Sequence, residues 1–295
     1  MNVLVTGARG MVGGALVRAL LGAGHSVVGL DRAAGGGAPQ PGLRPIQADL
    51  ADLPRLREIV DATRPDRFIH LAALAHTHGE TDLSWERYFH VNVECAKNLF
   101  AAAGDRPVLF ISTIDVYGFF DGKAPATPDS PLRPVSLYGK SKALAEAECR
   151  KLPRFDIFRL SPVYTPEVKR DIQKRYYLKP PWLAYRIGRG SLYEVLDIRT
   201  AVAAMVAWCA AEPSNSVRIL KDAEPLDTAA VLRAEKAAGR AKLVLPVPRW
   251  AALAAYRLAL ALLGRRNKAF LLNKAVHPLR TAGSPGHSGT ILHDA

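Results

Sequence analysis

The chain has 295 residues, 49% hydrophobic and 23% charged, enough to bury one large core or two unequal ones. Its net charge of +13 sits wholly in the C-terminal half: residues 1–150 hold 16 Lys+Arg and 16 Asp+Glu, residues 151–295 hold 24 and 11. Such a field attracts an anion (a nucleotide diphosphate, a lipid headgroup or nucleic acid), but without zinc-finger spacing or RNP-like aromatics, no nucleic-acid partner is expected.

The first 165 residues alternate short apolar runs with helical stretches. NVLVTG reads as a strand and MVGGALVRALLGAG as a helix closed by glycine. HSVVGLD and LRPIQADL are further strands, and LADLPRLREIVDATRPD holds the next helix. RFIHLAA is a strand, followed by one long helix within LSWERYFHVNVECAKNLFAAAG. The strand PVLFIST, a helix containing SLYGKSKALAE and the strand FDIFRLSPV complete the series. Strands apolar enough to be buried on both faces, alternating with helices, imply a parallel sheet covered by helices. From about Thr165 the rhythm breaks into a basic, aromatic, Pro/Gly-punctuated stretch that suggests a substrate-side cap. SLYEVLDIRTAVAAMVAWCAAEP and SVRIL return briefly to strand and helix, and the Gly/Ser/Pro/His-rich tail is expected to be loosely ordered. Cys95, Cys149 and Cys209 lie far apart within helical stretches, as small buried hydrophobes rather than a disulfide framework or metal cluster, so no metal is expected. With no basic lead and long apolar run at the N-terminus, the expected location is cytoplasmic.

The first strand runs into Gly7-Ala8-Arg9-Gly10-Met11-Val12-Gly13. Glycines here make a tight turn, let backbone approach a pyrophosphate and let helix pack close to strand, while the helix N-terminus offers free N–H groups. Asp31 ends the second strand, where a carboxylate can accept hydrogen bonds from an adenosine ribose and repel a 2′-phosphate. NAD is therefore the expected cofactor; Arg32 beside it keeps NADP as the alternative. Asp49 and Leu50, at the end of the third strand, are expected to border the adenine. In Tyr138-Gly139-Lys140-Ser141-Lys142, tyrosine and lysine stand one helical turn apart, a spacing that by itself is common.

With the glycine turn, Asp31, HLAA (His70–Ala73), ISTIDVYG (Ile111–Gly118) and YGKSK (Tyr138–Lys142) in order, the chain resembles an extended short-chain dehydrogenase/reductase. More narrowly, it resembles the NAD-dependent epimerase/dehydratase family acting on nucleotide sugars. The resemblance covers about residues 1–165 and fades beyond. It implies an α/β fold, a Rossmann-type doubly wound parallel sheet with a smaller C-terminal substrate-binding region. Residues 1–165 would bind NAD, with a return segment near 190–220, and 166–295 mainly the substrate. It implies a catalytic set of Thr113, Tyr138 and Lys142, with Ser112 an adjacent alternative to Thr113. Tyrosine would move the proton of a sugar hydroxyl while hydride passes to or from nicotinamide. Lysine would favour the phenolate, otherwise scarce with a pKa near 10, and hold the nicotinamide ribose. Gly7, Gly10, Met11, Val12, Gly13, Asp31, Arg32, Asp49, Leu50, Leu71, Ala72, Ala73, Tyr138 and Lys142 are the expected cofactor contacts.

Dehydratases of this family place an Asp-Glu pair directly after the threonine; here Ile114 and Asp115 occupy those positions, which argues against 4,6-dehydration and leaves 4-epimerisation or 4-keto-reduction. His76, with His78 nearby, falls where the family contacts substrate or nicotinamide. Arg170 and Arg175, within the cluster Lys169, Arg170, Lys174, Arg175 and Lys179, are candidates to clamp a diphosphate, the alternative being a solvated basic face. The expected substrate is a nucleotide-diphosphate sugar, and a homodimer is a further expectation. Other readings are an oxidoreductase acting on a non-sugar alcohol and a non-catalytic dinucleotide sensor, although members lacking catalysis usually lose the Tyr or Lys. WAALAAYRLALALLGRR (Trp250–Arg266) admits two readings. It is a buried helix of the substrate region, or, with Arg249, Arg265, Arg266 and Lys268, it lies on an anionic membrane surface that presents a lipid-diphosphate-linked sugar.

Overall fold

The computed structural model describes residues 1–33, 40–75, 84–121, 124–165, 170–179, 182–264, 267–282 and 284–285. The chain folds as two compact units: Met1–Thr113, Leu137–Arg159 and Ala201–Arg218 form the first, and Ile114–Ser136, Leu160–Thr200 and Ile219–Ala295 the second.

In the first unit, strands β1 (Asn2–Thr6), β2 (Ser26–Asp31), β3 (Leu43–Gln47), β4 (Arg67–His70) and β5 (Val108–Thr113) alternate with helices α1 (Met11–Gly22), α2 (Leu53–Thr63), α3 (Trp85–Phe89) and α4 (Cys95–Ala103). Helix α5 (Leu137–Cys149) and strand β6 (Phe155–Leu160) follow. The strands run in the order β3-β2-β1-β4-β5-β6 and continue into β12 (Val217–Lys221), a seven-strand parallel central sheet. Order reverses between β1 and β4, and the crevice at the carboxyl ends of such neighbours is where open α/β sheets bind ligands.

Local chemistry explains the elements. Helix α1 buries Gly13, Leu16, Val17 and Leu20, a stripe at helical spacing. Asp52 caps α2 by accepting from the Arg55 amide at 3.0 Å. Leu56, Ile59 and Val60 of α2, Leu99 and Phe100 of α4, and Ala145 and Cys149 of α5 share one core cluster with the sheet residues Phe68, Val108 and Phe110. All three cysteines are buried and free. The long helix expected after β4 runs without a break from Trp85 to Ala103 and takes a π-helical turn at His90–Glu94. The Asn92 amide, on the buried side of that turn, bonds the backbone of Leu74 (2.7 and 3.0 Å) and Ser141 Oγ (2.8 Å).

A buried ion pair fixes α5 to the sheet. Glu146 accepts from Arg159 Nη2 at 2.7 Å and Nε at 3.0 Å, and from Ser112 Oγ at 2.5 Å, all three residues being buried.

The second unit is built from short strands. Strands β7 (Val163–Tyr164), β8 (Tyr177–Lys179), β9 (Leu183–Ile187), β10 (Leu192–Tyr193), β11 (Leu196–Asp197), β13 (Leu226–Asp227) and β14 (Leu243–Val247) form the sheets β11-β7, β10-β13 and β14-β9-β8. Helix α6 (Arg170–Gln173) precedes β8; α7 (Ile198–Ala210) starts here and runs into the first unit; α8 (Thr228–Ala237) is capped by Asp227. Helix α9 (Arg249–Leu263) packs against α10 (Asn267–Val276), and β15 (Ser284–Pro285) pairs with the end of β12. Tyr164, Tyr176, Tyr177, Tyr193, Val195 and Leu232 belong to its core. Here the buried-helix reading of Trp250–Arg266 is corrected: α9 contains no buried residue. Its α10-facing side is already supplied with a partner, and nothing among the described residues covers the other. Among the described residues, no helix is long and apolar enough to cross a membrane.

Removing one member of a buried ion pair strands the other. Arg159→Met should lower the unfolding free energy by about 3–5 kcal/mol, and adding Glu146→Leu should restore most of it. Urea titration of the two variants beside the wild type checks both.

Candidate functional site

The turn between β1 and α1 is a surface of backbone. Gly7 has φ +67°, and a Cβ there would lie 2.8 Å from the Ala72 nitrogen. A Cβ on Gly13 would meet the Gly7 carbonyl oxygen at 2.0 Å, so neither position accepts a side chain without moving main chain. Gly10 donates to the Gly7 carbonyl at 3.0 Å and precedes the first turn of α1, where Met11 is exposed and Val12 half-buried. A first helical turn leaves amides without intrahelical partners, so this glycine-lined rim can receive a phosphate group.

Asp31 closes β2, its two oxygens accepting from the Arg9 and Ala33 amides, each at 3.1 Å. Those bonds aim the carboxylate along the rim and leave lone pairs for hydroxyl donors. Arg32 is exposed. The Asp49 carboxylate accepts from the Ala51 amide at 2.9 Å and the Leu50 carbonyl from Asn98 Nδ2 at 3.0 Å, so both belong to an ordered turn. Leu71, Ala72 and Ala73 are half-buried, the Ala72 amide donating to Thr6 Oγ1 at 3.2 Å.

Thr6 Oγ1 also lies 2.7 Å from His70 Nδ1. The other ring nitrogen of His70, Nε2, is buried and without a hydrogen-bond partner. Burial first, and the Lys142 charge second, lower the His70 pKa to about 3.

Thr113, Tyr138 and Lys142 all belong to the first unit, Thr113 at the end of β5 and the other two in the first turns of α5. Thr113 and Tyr138 are half-buried, whereas Lys142 is 2% exposed with its ammonium 3.9 Å from the Phe110 ring centroid. Phe110 stacks in turn on His70 at 5.6 Å. Burial lowers the Lys142 pKa to about 7 against the opposing charge of Glu146 one turn on, which raises it. Ser112, the alternative to Thr113, has its hydroxyl committed to Glu146. Sequence reasoning missed Asn92, Phe110, Glu146 and Arg159. The one available signal was polarity at buried helical positions, as Asn92 lies within the stripe Tyr88, Asn92, Ala96, Leu99.

In the second unit, Asp115, Arg175, Tyr193, Glu194 and Lys274 border a cleft. The Arg175 guanidinium carbon stands 4.6 Å from the Tyr193 ring centroid and its buried Nε has no hydrogen-bond partner. Asp115 is held by Lys274 Nζ at 2.7 Å. Glu194 Oε1 accepts from Arg280 Nε at 3.0 Å and Lys221 Nζ at 3.2 Å. His76, His78 and Lys169 lie outside the described residues, and so do the side chains of Arg170 and Lys179. Among the described residues, no group of three or more His, Cys, Asp or Glu could hold a metal ion.

Residues 3–197 match the model of the NAD dependent epimerase/dehydratase family. A UDP-glucose 4-epimerase of Neisseria meningitidis is 37% identical over 158 residues, 49% of this chain and 46% of the relative. A D-erythronate dehydrogenase of Cupriavidus necator is 33% identical over 163 residues, 50% of this chain and 48% of the relative. The solved structure of a UDP-glucose 4-epimerase complex with NAD from Thermus thermophilus aligns with a TM-score of 0.65 at 26% identity, over 84% of this chain and 86% of that one. The chain spans less than half the length of these curated relatives.

The Lys142 environment has a measurable consequence. Between about pH 7 and the ordinary lysine value of 10.5, the unfolded chain holds this proton and the folded chain does not. Stability should therefore rise with pH through that window because of Lys142. Denaturant titrations at a series of pH values should show a shallower rise for Lys142→Met than for the wild type.

Proposed function

Because the chain belongs to the NAD-dependent epimerase/dehydratase family, we propose that it is a 4-epimerase or 4-ketoreductase of a nucleotide-diphosphate sugar. The observation that carries this reading is α5, which sets Tyr138 one turn from a lysine buried against Phe110. The relatives named as UDP-glucose 4-epimerases support the same chemistry.

NAD, when bound, supplies the hydride acceptor and donor. The backbone rim at Gly7, Gly10 and Gly13, with the Met11 and Val12 amides, fits a pyrophosphate, and Asp31 fits the adenosine ribose. Arg32, Asp49, Leu50 and Leu71–Ala73 complete the proposed cofactor contacts. Tyr138 takes the proton of the sugar hydroxyl and returns it, with Thr113 orienting the same oxygen. Lys142 in its charged form favours the phenolate, and Glu146 supports that form against the cost of burial. A pKa of about 7 divides the unliganded lysine between its two forms at neutral pH.

Elimination is disfavoured, since loss of a leaving group needs a positioned acid. Ile114 has none, and the Asp115 carboxylate is tied to Lys274. Arg175, which lines the cleft of the second unit and has a buried Nε without a hydrogen-bond partner, is the candidate clamp for the diphosphate. In this reading residues 1–165, with the return near 190–220, hold the cofactor and 166–295 mainly the substrate. A homodimer and a peripheral membrane contact are proposals of the same kind, and the exposed face of α9 supports the second.

The deciding experiment incubates purified protein with UDP- and dTDP-sugars and follows product configuration together with NADH absorbance. Inverted product without net NADH change marks an epimerase; NADH consumption with the corresponding 4-keto sugars, or NADH formation from NAD with the sugars themselves, marks a reductase; and no turnover of any sugar or 4-keto sugar defeats the proposal. Tyr138→Phe should cut turnover at least about a hundredfold with cofactor affinity nearly unchanged, whereas Lys142→Ala should lower both. Fluorescence titration should show NAD(H) binding more tightly than NADP(H), because a 2′-phosphate would meet the Asp31 carboxylate, and Asp31→Asn should narrow the difference.

A further inference from the structure

Ten of the thirteen exposed large hydrophobic side chains among the described residues belong to the second unit. Helix α9 concentrates them. Trp250, Leu258 and Leu262 are 73%, 60% and 74% exposed, and with Ala254 and Ala261 they fall at i, i+4, i+8, i+11 and i+12, one stripe along the helix. The opposite side, through Tyr256, faces α10: the Tyr256 hydroxyl accepts from Asn273 Nδ2 at 3.3 Å, and its ring meets His277 edge-on. Leu271 of α10 is a further 65% exposed. A helix apolar on both sides belongs in an interior, yet this one has an interior on one side only.

Charge identifies what covers the other. From Lys236 to His293 the sequence contains no Asp or Glu but ten Lys and Arg. Arg249 and Arg257 of α9 are exposed. We propose that the outward face of α9 docks on an anionic lipid surface, with Trp250, Leu258 and Leu262 inserted among the headgroups and the arginines meeting lipid phosphates. A tryptophan at the end of such a stripe suits the membrane interface, where its ring is apolar and its N–H stays wet. A second copy of the chain suits the face poorly: a two-fold contact through α9 would set the exposed Arg249 and Arg257 against their own copies and bring like charges together. The inference rests on exposure and charge in the second unit and stands independently of the nucleotide-sugar reading.

The test is sedimentation of the full chain with phosphatidylserine/phosphatidylcholine vesicles and, separately, pure phosphatidylcholine vesicles, at low and high salt. The wild type should pellet with the anionic vesicles alone, and high salt should weaken this as the Debye length falls from about 10 Å at 0.1 M to about 3 Å at 1 M. The triple change Trp250→Ser, Leu258→Ser and Leu262→Ser should weaken partitioning at least about a hundredfold, as each side chain loses the burial of an apolar group. Arg249→Gln and Arg257→Gln should weaken it about fivefold each, and these conservative surface changes keep the test decisive if the serine variant fails to fold. The proposal is overturned if the wild type stays in the supernatant with anionic vesicles, if it binds both vesicle types alike, or if the folded variants pellet like the wild type. A dimer that the serine triple dissociates, without vesicle binding by the wild type, would assign the face to a second copy instead.

Discussion

The carboxylate of Glu146 is the point on which the geometry of the first unit's site turns. Buried charge is costly unless its hydrogen bonds are met, and here Arg159 on β6 and Ser112 on β5 meet them. A helix held by such a bond cannot rotate about its own axis without stranding the charge. Tyr138, Lys142 and Glu146 lie at i, i+4 and i+8 of α5, so the anchor that fixes the third also aims the first two. Phe110 and Ser112 alternate on one face of β5, which places the Lys142 ammonium over the ring and Glu146 over the hydroxyl. The anchor also acts electrostatically. Its negative charge one turn from Lys142 opposes the desolvation that would otherwise keep the lysine neutral. Position and protonation thus depend on one residue.

The glycine turn between β1 and α1 works by the opposite means, through the exclusion of side chains at Gly7 and Gly13. Its shape comes from main-chain contacts at Gly7 and Gly13 and from the bond that Ala72 makes to Thr6, which holds the ends of β1 and β4 side by side. His70 supplies a neutral, fully buried wedge behind that junction, packed between Phe100 and Phe110. Burial lowers the pKa of that ring to about 3, so it stays neutral in the packed layer. Rim and α5 therefore share one supporting layer, Phe110, which touches His70 on one side and Lys142 on the other.

What could be seen in the sequence was what lies close together along the chain. The strand–turn–helix at Gly7–Gly13, the acid closing β2 and the one-turn spacing of Tyr138 and Lys142 are local patterns, and periodicity placed the strands and helices of the parallel sheet around them. Glu146 and Arg159 are thirteen residues apart, and either alone reads as a solvated charge; only the fold removes both from water. Asn92 bonds residues 18 behind and 49 ahead, and the π turn it occupies is invisible in a segment whose apolar spacing suits an unbroken helix. In the second unit most strands have two or three residues, too few to display a period. The cleft there collects residues from 114 to 279, which no reading of neighbours along the chain would bring together. Helix α9 was ambiguous for a different reason. Apolar residues on both sides describe a buried helix and a surface-seeking one equally well, and only exposure separates them.

The charge imbalance of the C-terminal half has the same logic as that helix: it cannot be resolved within the chain. Ion pairs in the second unit consume cations and anions almost one for one, as in Asp115 with Lys274 and Glu235 with Arg240. Glu194, taking both Lys221 and Arg280, is the richest sink, and its buried Oε2 still has no hydrogen-bond partner. Residues 151–295 nevertheless contain 24 basic against 11 acidic side chains, so internal pairing at any geometry leaves a surplus. Self-repulsion makes such a surplus a cost to compactness unless an external anion shares it. A diphosphate at Arg175 could use only the cations that reach the cleft. The acid-free run Lys236–His293 contains instead the most exposed large apolar side chains among the described residues, and the extended anionic surface proposed for α9 would answer both features at once.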